Sequence, residues 1–261
     1  MTFSSDNNAP VSSARRLAMT VAYDGTDFQG WQMQPDRRTV QEVIERAIGH
    51  ISDGAPPRIH GSGRTDTGVH ARGQVFHVDT HRDYSEVKWR EALNGVLPGD
   101  VRILEVKQVA SDFHARFDAL SKQYRYFIYT HPVMPPDLRR YRLHVRTPLN
   151  VGAMVRAAEV LLGEHDFRSF SANRGREEET TVRTLHRLDL EREGQDLCLI
   201  AEADGFMYKM VRQLAGALIR TGLEELTVDD IQTLLDKPER NHQAPTAAPQ
   251  ALFLWKVLYG S

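Results

Sequence analysis

The sequence predicts an α+β fold built from two ferredoxin-like halves. Hydrophobic residues make up 41% and charged residues 26% of the 261 residues, which is typical of a globular chain with a sizeable core. Period-two and period-3.6 hydrophobic patterns follow one another in the order β-α-β-β-α-β, and the same order then recurs. Two such units would form two antiparallel sheets whose faces meet around a central cleft. We expect a disordered tail at 1–14, a first half at 15–115 and a second half at 116–261.

The first half contains two helical patterns among four strand patterns. RLAMTVAY alternates as a strand does, and TVQEVIERAIGH predicts a helix that begins with a capping box of Thr39 and Glu42. PRIHGSG and GQVFHVDT predict two further strands. Ser85 is the expected N-cap of the helix SEVKWREALNGVL, which the turn PGD ends, and VRILEVKQV predicts the last strand.

The second half repeats the pattern with one additional helix. KQYRYFIYT predicts a strand, and the proline-rich HPVMPPDLRRYR links it to a helix that begins at Asn150 and ends at Gly163. TVRTLHRLDLERE and QDLCLIAEA predict a hairpin that turns at Gly194. The second of these strands contains Cys198, which we expect to be a small core residue. FMYKMVRQLAGALIRTG predicts a long helix, a short helix capped by Thr227 follows, and ALFLWKVLY predicts the final strand.

Composition excludes several classes of protein. No apolar run approaches the roughly 20 residues that a membrane-spanning helix needs. The polar N-terminal stretch MTFSSDNNAPVSSAR lacks the basic start and apolar segment of a secretory signal. A single cysteine excludes an intramolecular disulfide and a thiolate-rich zinc site, so we expect a cytoplasmic protein.

Charge is unevenly distributed along the chain. The net charge is −2, yet the segment 114–146 contains seven Lys and Arg residues against two Asp residues. The acids cluster elsewhere, at 176–179 and 224–236. A local basic surface on a nearly neutral protein is compatible with nucleic-acid binding and equally with an ordinary solvated surface. The basic residues of this segment are Arg116, Lys122, Arg125, Arg139, Arg140, Arg142 and Arg146.

One loop has the composition of an active site. GSGRTDTGVHARG contains one carboxylate, Asp66, between Arg64 and Arg72, among glycines that let the backbone approach a ligand. No lysine follows Gly63, which excludes a phosphate-binding P-loop, and Asp66 stands where a dinucleotide-binding loop needs its third glycine. A nucleophilic serine triad lacks its G-x-S-x-G turn. The loop therefore predicts a single nucleophilic or basic carboxylate.

A metal site is the weaker interpretation of the same region. Its candidate ligands are His60, Asp66, His70 and His77. No helical H-x-x-x-H spacing supports such a site.

Ordered motifs along nearly the whole chain resemble the tRNA pseudouridine synthase A family. GRTDTGVHA resembles its active-site motif, and YDGTDFQGWQMQ and TVQEVIERA resemble its N-terminal signature. ARFDALSKQYRYFIY, GEHDFRSF and FMYKMVRQLAGALIRTG are similar to its middle and C-terminal motifs. There are two departures: Thr67 replaces a common alanine or lysine, and Ala251 replaces a glycine. Neither changes the carboxylate.

The resemblance implies a pseudouridine synthase fold and a homodimer that isomerises uridine to pseudouridine in the anticodon stem-loop of tRNA, at positions 38, 39 and 40. It implies Asp66 as the nucleophile, with Arg64, Tyr124 and Arg212 as the other catalytic residues, and neither a cofactor nor a metal. Tyr124 would stack on the uracil or help to remove the C5 proton. The candidate substrate-binding residues are Tyr124, Arg64, Arg116, Lys122, Arg125, Arg139, Arg140 and Arg142.

Two rival functions remain open at this stage. The first is an RNA-binding protein on the same scaffold without catalysis. The second is a metal-dependent RNA hydrolase that uses the four candidate ligands above. Arg64 itself has a structural alternative, a simple ion pair with Asp66. Its functional role would be to fill the gap that a flipped uridine leaves in the stem.

Overall fold

A computed structural model describes residues 14–52, 54–173, 180–240 and 244–260. The expected N-terminal tail lies outside the described residues except for residue 14, and so does the acidic run at 176–179. Among the helices of the described segments, none has the length and apolar character needed to cross a bilayer.

The chain forms ten strands and five α-helices within the described residues. The strands are β1 (Arg15–Tyr23), β2 (His60–Gly61), β3 (His70–Thr80), β4 (Val101–Val109), β5 (Ala119–Tyr129), β6 (Leu143–His144), β7 (Gly163–Asp166), β8 (Val182–Glu193), β9 (Asp196–Ala203) and β10 (Leu252–Tyr259). The helices are α1 (Val40–Ser52), α2 (Glu86–Val96), α3 (Val151–Val160), α4 (Met210–Gly222) and α5 (Val228–Asp236). Short 3-10 helices lie at Pro136–Arg140, Phe167–Phe170 and Pro249–Ala251.

The strand order confirms the α+β class and the repeated topology. The main path of the sheet is β4-β1-β3-β10-β5-β9-β8-β7, with β2 beside β3. If the four strands of each β-α-β-β-α-β unit are numbered 1 to 4 along the chain, they lie side by side in the order 4-1-3-2. This is the ferredoxin-like arrangement, and it occurs once in β4-β1-β3-β2 and once in β10-β5-β9-β8.

The two halves share one continuous sheet, whereas the sequence predicted two separate sheets. The strand β2 has only two residues and occupies the edge of β3 near His77. The other end of that edge stays open, and there Phe253 and Leu254 of β10 pair in parallel with His70 and Ala71. An unpaired strand edge is a template for another strand, so the short β2 allows the sheets to join. The boundary at 115/116 stays a prediction because the halves also share a core.

Burial follows the alternation that the sequence predicts. In β1, Leu17, Met19, Val21 and Tyr23 are all less than 5% exposed, while the residues between them are half-buried. All five helices contribute residues to the large core cluster that these side chains join. A much smaller cluster on the other side of the sheet includes Cys198, so its predicted core role is confirmed.

Three of the predicted helix caps are confirmed. The side chains of Ser85, Asn150 and Thr227 each accept a hydrogen bond from a backbone N–H in the first turn of their helix. Gly194 turns the β8–β9 hairpin with a φ of +61°, a value that glycine adopts without strain.

The predicted capping box of α1 is wrong. The Thr39 hydroxyl is buried and makes no hydrogen bond. Backbone carbonyls of the preceding loop satisfy the helix start instead: Val40 N donates to Gly30 O at 3.2 Å and Gln41 N to Trp31 O at 3.0 Å. Tertiary contacts therefore replace the local side-chain cap.

The helix α4 begins four residues later than the sequence pattern indicates. Lys209 has a φ of +60°, in the left-handed region, so the regular helix starts at Met210. Phe206 and Tyr208, which the helical pattern included, line a cleft instead.

Candidate active site

A cleft of about 790 Å³ lies where the two halves meet. The first half contributes the loop 61–66 and His114, and Arg116 and Phe117 follow directly after the predicted boundary between the halves. The second half contributes Lys122 and Tyr124 of β5, the segment 204–209 and the start of α4. Asp66 of the first half and Arg212 of the second line this cleft together, so the cleft lies at the seam between the halves.

Backbone contacts hold the loop that carries Asp66. Trp31 N donates to Thr65 O at 3.1 Å, and the hydroxyls of Tyr23 and Thr65 are 2.8 Å apart. Gly30 has a φ of +84°, and a Cβ there would lie 2.7 Å from Thr65 O. The loop therefore packs directly on a glycine backbone, and this close approach sets the position of the carboxylate.

Asp66 forms an ion pair with Arg212 across the seam. Arg212 Nη1 lies 3.2 Å from Asp66 Oδ2, and the side chains are 12% and 19% exposed respectively. Arg212 Nε also donates to Ala247 O at 2.7 Å, and Ala247 N donates to Arg212 O at 3.0 Å. The segment that contains Ala247 thus fixes the position of the guanidinium independently of the carboxylate. The Asp66 side chain stays partly exposed in the cleft.

The helix that carries Arg212 is packed tightly against the segment before β10. A Cβ at Gly216 would lie 1.9 Å from Pro245 O, so only glycine lets the helix approach this closely. The same segment presents Ala247 to Arg212, and it therefore determines how far the guanidinium reaches into the cleft.

Tyr124 is a buried aromatic ring beside the carboxylate. It is 7% exposed, and its ring meets that of Phe206 edge to face, with centroids 5.2 Å apart. Burial raises the pKa of Tyr124 well above its usual 10, and the nearby Tyr23 and Asp66 raise it further. A phenol that stays protonated at neutral pH is a poor base, which argues against proton removal by Tyr124.

Three of the predicted basic residues line the cleft with Asp66: Arg64, Arg116 and Lys122. Burial lowers the pKa of Lys122, and the positive charge of Arg116 lowers it further. Arg183 of β8 also lines the cleft and acts on Lys122 in the same direction. The cleft therefore concentrates positive charge in a protein whose net charge is −2.

The other predicted basic residues lie away from the cleft, and their contacts with substrate stay a prediction. Arg125 pairs with Glu193 at 3.2 Å, and its guanidinium lies over the ring of Trp255. Arg142 pairs with Asp196 at 2.7 Å. Arg139 and Arg140 are exposed on the 3-10 helix of the linking segment.

The four candidate metal ligands do not converge. His70 accepts a hydrogen bond from Gly25 N at Nδ1, and its Nε2 lies 3.0 Å from Arg140 O. His77 Nδ1 accepts from Ala115 N at 3.1 Å. Among the described residues, no group of three or more His, Cys, Asp or Glu side chains is placed to hold a metal ion. The arrangement therefore does not support the hydrolase.

Sequence reasoning missed several residues of the cleft. Arg183 lies in a strand with many charged residues, where no pattern distinguishes it. Phe206 was assigned to the long helix, although its position before Lys209 places it opposite Tyr124. Phe117 is exposed at the rim, and the ARF motif that contains it was noted only as part of a resemblance.

A carboxylate paired with a guanidinium in a cleft rich in cations is compatible with the class of enzymes that act on nucleic acid. Comparison with known proteins narrows this class. The family model described as tRNA pseudouridine synthase matches residues 19–118 and 157–260, and the chain belongs to this family. Its members are isomerases that convert uridine to pseudouridine in tRNA.

Curated relatives match along nearly their whole length. The tRNA pseudouridine synthase A of Brevibacillus brevis is 43% identical over 245 residues, which is 94% of this chain and 100% of the relative. The protein of the same name from Halalkalibacterium halodurans is 44% identical, with 91% and 90% covered. That of Listeria monocytogenes is 42% identical, with 94% and 99% covered. Among solved structures, a Cbf5-Nop10-Gar1 complex matches at 13% identity and a TM-score of 0.30. The match covers 83% of this chain and 54% of the chain in that complex.

Proposed function

We propose that the chain converts uridine to pseudouridine in the anticodon stem-loop of tRNA, at positions 38, 39 and 40, with Asp66 as the nucleophile. The observation that carries the proposal is the pair of Asp66 and Arg212, 3.2 Å apart in a cleft between the halves. The target positions come from the family that the sequence resembles.

The reaction matches what one carboxylate can do. The bond between uracil N1 and ribose C1′ breaks, the base rotates, and a new bond forms between C5 and C1′. The C5 proton leaves and N1 gains a proton, so no redox step and no cofactor are needed. Asp66 attacks C1′ or C6, or removes a sugar proton, and all three routes need an ionised carboxylate. Arg212 balances its charge, and Tyr124 stacks on the uracil.

Arg64 has a separate role in this proposal. A uridine within a stem must leave the stack before Asp66 can reach it, which costs a few kcal/mol. Arg64 is exposed in the cleft two residues from Asp66, where a long planar cation can fill the vacated space and contact phosphate. Arg116 and Lys122 contact phosphates along the same cleft.

Tritium release from tRNA labelled at uridine C5 tests the chemistry. Asp66→Asn is expected to abolish release and to leave tRNA affinity within a few-fold, because phosphate contacts provide most of that affinity. Asp204→Asn is the matched control, since this exposed acid lines the same cleft and accepts a backbone hydrogen bond that asparagine preserves. More than about a tenth of wild-type activity in Asp66→Asn would remove Asp66 from the chemistry. Binding without any release by the wild type would favour a non-catalytic RNA-binding protein.

We also propose a cytoplasmic homodimer in which each tRNA contacts both subunits. A structured anticodon arm is recognised by shape, which needs contacts far from the flipped base. The exposed Arg139 and Arg140 lie away from the cleft and would provide such contacts from the second subunit. Mixing Asp66→Asn subunits with subunits neutralised at 139–146 should restore activity. A fully active monomer in sedimentation at micromolar concentration would contradict this.

A further inference from the structure

An exposed phenylalanine ring stands at the rim of the cleft. Phe117 is 73% exposed and lines the cleft that contains Asp66. Its ring lies against that of His114, with centroids 4.2 Å apart and planes inclined by 32°. Arg116 Cζ lies 5.7 Å from the Phe117 centroid. One face of the ring is therefore supported by protein, and most of the side chain is open to solvent.

The turn that carries Phe117 is held by its own side chains. His114 Nδ1 accepts hydrogen bonds from Arg116 N at 3.1 Å and Phe117 N at 3.3 Å. His114 N donates to Asp118 Oδ2 at 2.8 Å, and Asp118 N donates to His114 O at 3.0 Å. Four hydrogen bonds within five residues leave this turn little conformational freedom.

The sheet anchors the same turn from below. Ala115 is fully buried, its N–H donates to His77 Nδ1 at 3.1 Å, and its carbonyl accepts from the Tyr259 hydroxyl at 2.7 Å. Arg16 Nη1 donates to Phe113 O at 2.8 Å. Contacts from β1, β3 and β10 thus fix a segment whose most prominent side chain is an exposed phenyl ring. The exposed ring contributes little to the core, and the rigid turn holds it at the rim of the cleft.

The surroundings indicate the occupant. Arg116 and Lys122 line the cleft beside Phe117, and Arg183 adds a third cation whose charge reaches Lys122. A ring bordered by cations suits a ligand with flat apolar faces and a polyanionic backbone. Unpaired bases of RNA stack on such rings, while the phosphates meet the cations.

We propose that Phe117, supported by His114, is a stacking platform for a nucleobase of tRNA next to the flipped uridine. The platform holds the neighbouring nucleotide in place while the target base occupies the space near Tyr124. This inference rests on the proposed function, because it assumes that the target uridine enters this cleft.

Tryptophan fluorescence tests the platform without turnover. Phe117→Trp in an Asp66→Asn background places an indole at the rim, and its emission is taken as the difference from the Asp66→Asn parent. Saturating tRNA is expected to quench this emission at the concentrations at which binding occurs. Val87→Trp in the same background is the control, because Val87 is 54% exposed on α2 and does not line the cleft. Its emission should change little.

Affinity measurements separate stacking from simple apolar contact. Phe117→Ala should weaken tRNA binding by about 5- to 150-fold, the range for one base stacked on an aromatic ring. Phe117→Leu keeps an apolar side chain without a π-face and should lose a similar amount, whereas Phe117→Tyr should stay within a few-fold. Phe117 is 73% exposed, so these substitutions should leave the fold intact, and binding of Phe117→Tyr within a few-fold of the wild type would verify this.

Several outcomes would overturn the platform. They are unchanged Phe117→Trp emission at saturating tRNA, full affinity in Phe117→Leu, or an emission change on concentrating the protein without RNA. The last would indicate that a second copy of the chain covers the ring. Failure of the Asp66→Asn turnover test would leave the quenching intact, so the two proposals fail separately.

Discussion

Mild acid is expected to destabilise the protein through His77, which lies beneath the turn that carries Phe117. The ring is 3% exposed, stacks on His60 with centroids 5.0 Å apart and meets His114 at 4.7 Å. Burial lowers the pKa of His77 from 6.5 to about 4, and the positive charge of Arg16 contributes to this shift. Its Nδ1 accepts a hydrogen bond, and protonation of this atom would abolish that bond.

The sign and size of the effect follow from this shift. The folded protein holds His77 neutral more firmly than the unfolded chain does, so its contribution to stability is present above pH 6.5 and is lost as the pH falls towards 4. A shift from 6.5 to about 4, at 1.36 kcal/mol per pKa unit, corresponds to about 3 kcal/mol in full. About 2 kcal/mol of this is lost between pH 7 and pH 5.

Urea titrations at pH 7 and pH 5 measure this loss. The free energy of unfolding of the wild type should fall between these pH values by about 2 kcal/mol more than that of His77→Gln, since glutamine accepts the Ala115 N–H without titrating in this range. His50→Gln, at an exposed position on α1, should keep the pH dependence of the wild type. Equal pH dependence in the wild type and His77→Gln would refute the reasoning.

Three further predictions concern the cleft. Gly30→Ala should lower the free energy of unfolding by more than about 1 kcal/mol and reduce tritium release, because its Cβ would clash with Thr65 O. Gly99→Ala is the control: no atom lies near a Cβ at this position, so neither quantity should change. Arg212→Lys should lower the turnover rate at least tenfold and leave tRNA affinity within a few-fold of the wild type. Lysine cannot contact both Ala247 O and the Asp66 carboxylate. Turnover equal to that of the wild type would contradict this. The logarithm of the tRNA association constant should fall by several units per unit of log salt concentration, and a slope near zero would count against a polyanionic substrate.

Local features of the fold were predictable from the sequence because they depend on neighbouring residues. The caps Ser85, Asn150 and Thr227 each satisfy the N–H group three residues later, and the turn at Gly194 depends on one φ angle. The capping box at Thr39 failed for the opposite reason. The helix α1 begins against a loop whose backbone carbonyls accept hydrogen bonds from its first N–H groups. The residues next to Thr39 in the sequence do not indicate this contact.

By itself, the sequence determined the repeated β-α-β-β-α-β order of the two halves, the loop that carries Asp66 and, through ordered motifs, the family, but it did not indicate the short strands β6 and β7. Tertiary structure alone decided that the two sheets join through β3 and β10, and that Arg212 meets Asp66 from 146 residues away. It also decided that Arg183 and Phe117 line the same cleft. The physical reason is that hydrophobic periodicity reports which face of an element is buried. The contacts between distant elements depend on edge pairing and packing, which only the assembled chain defines.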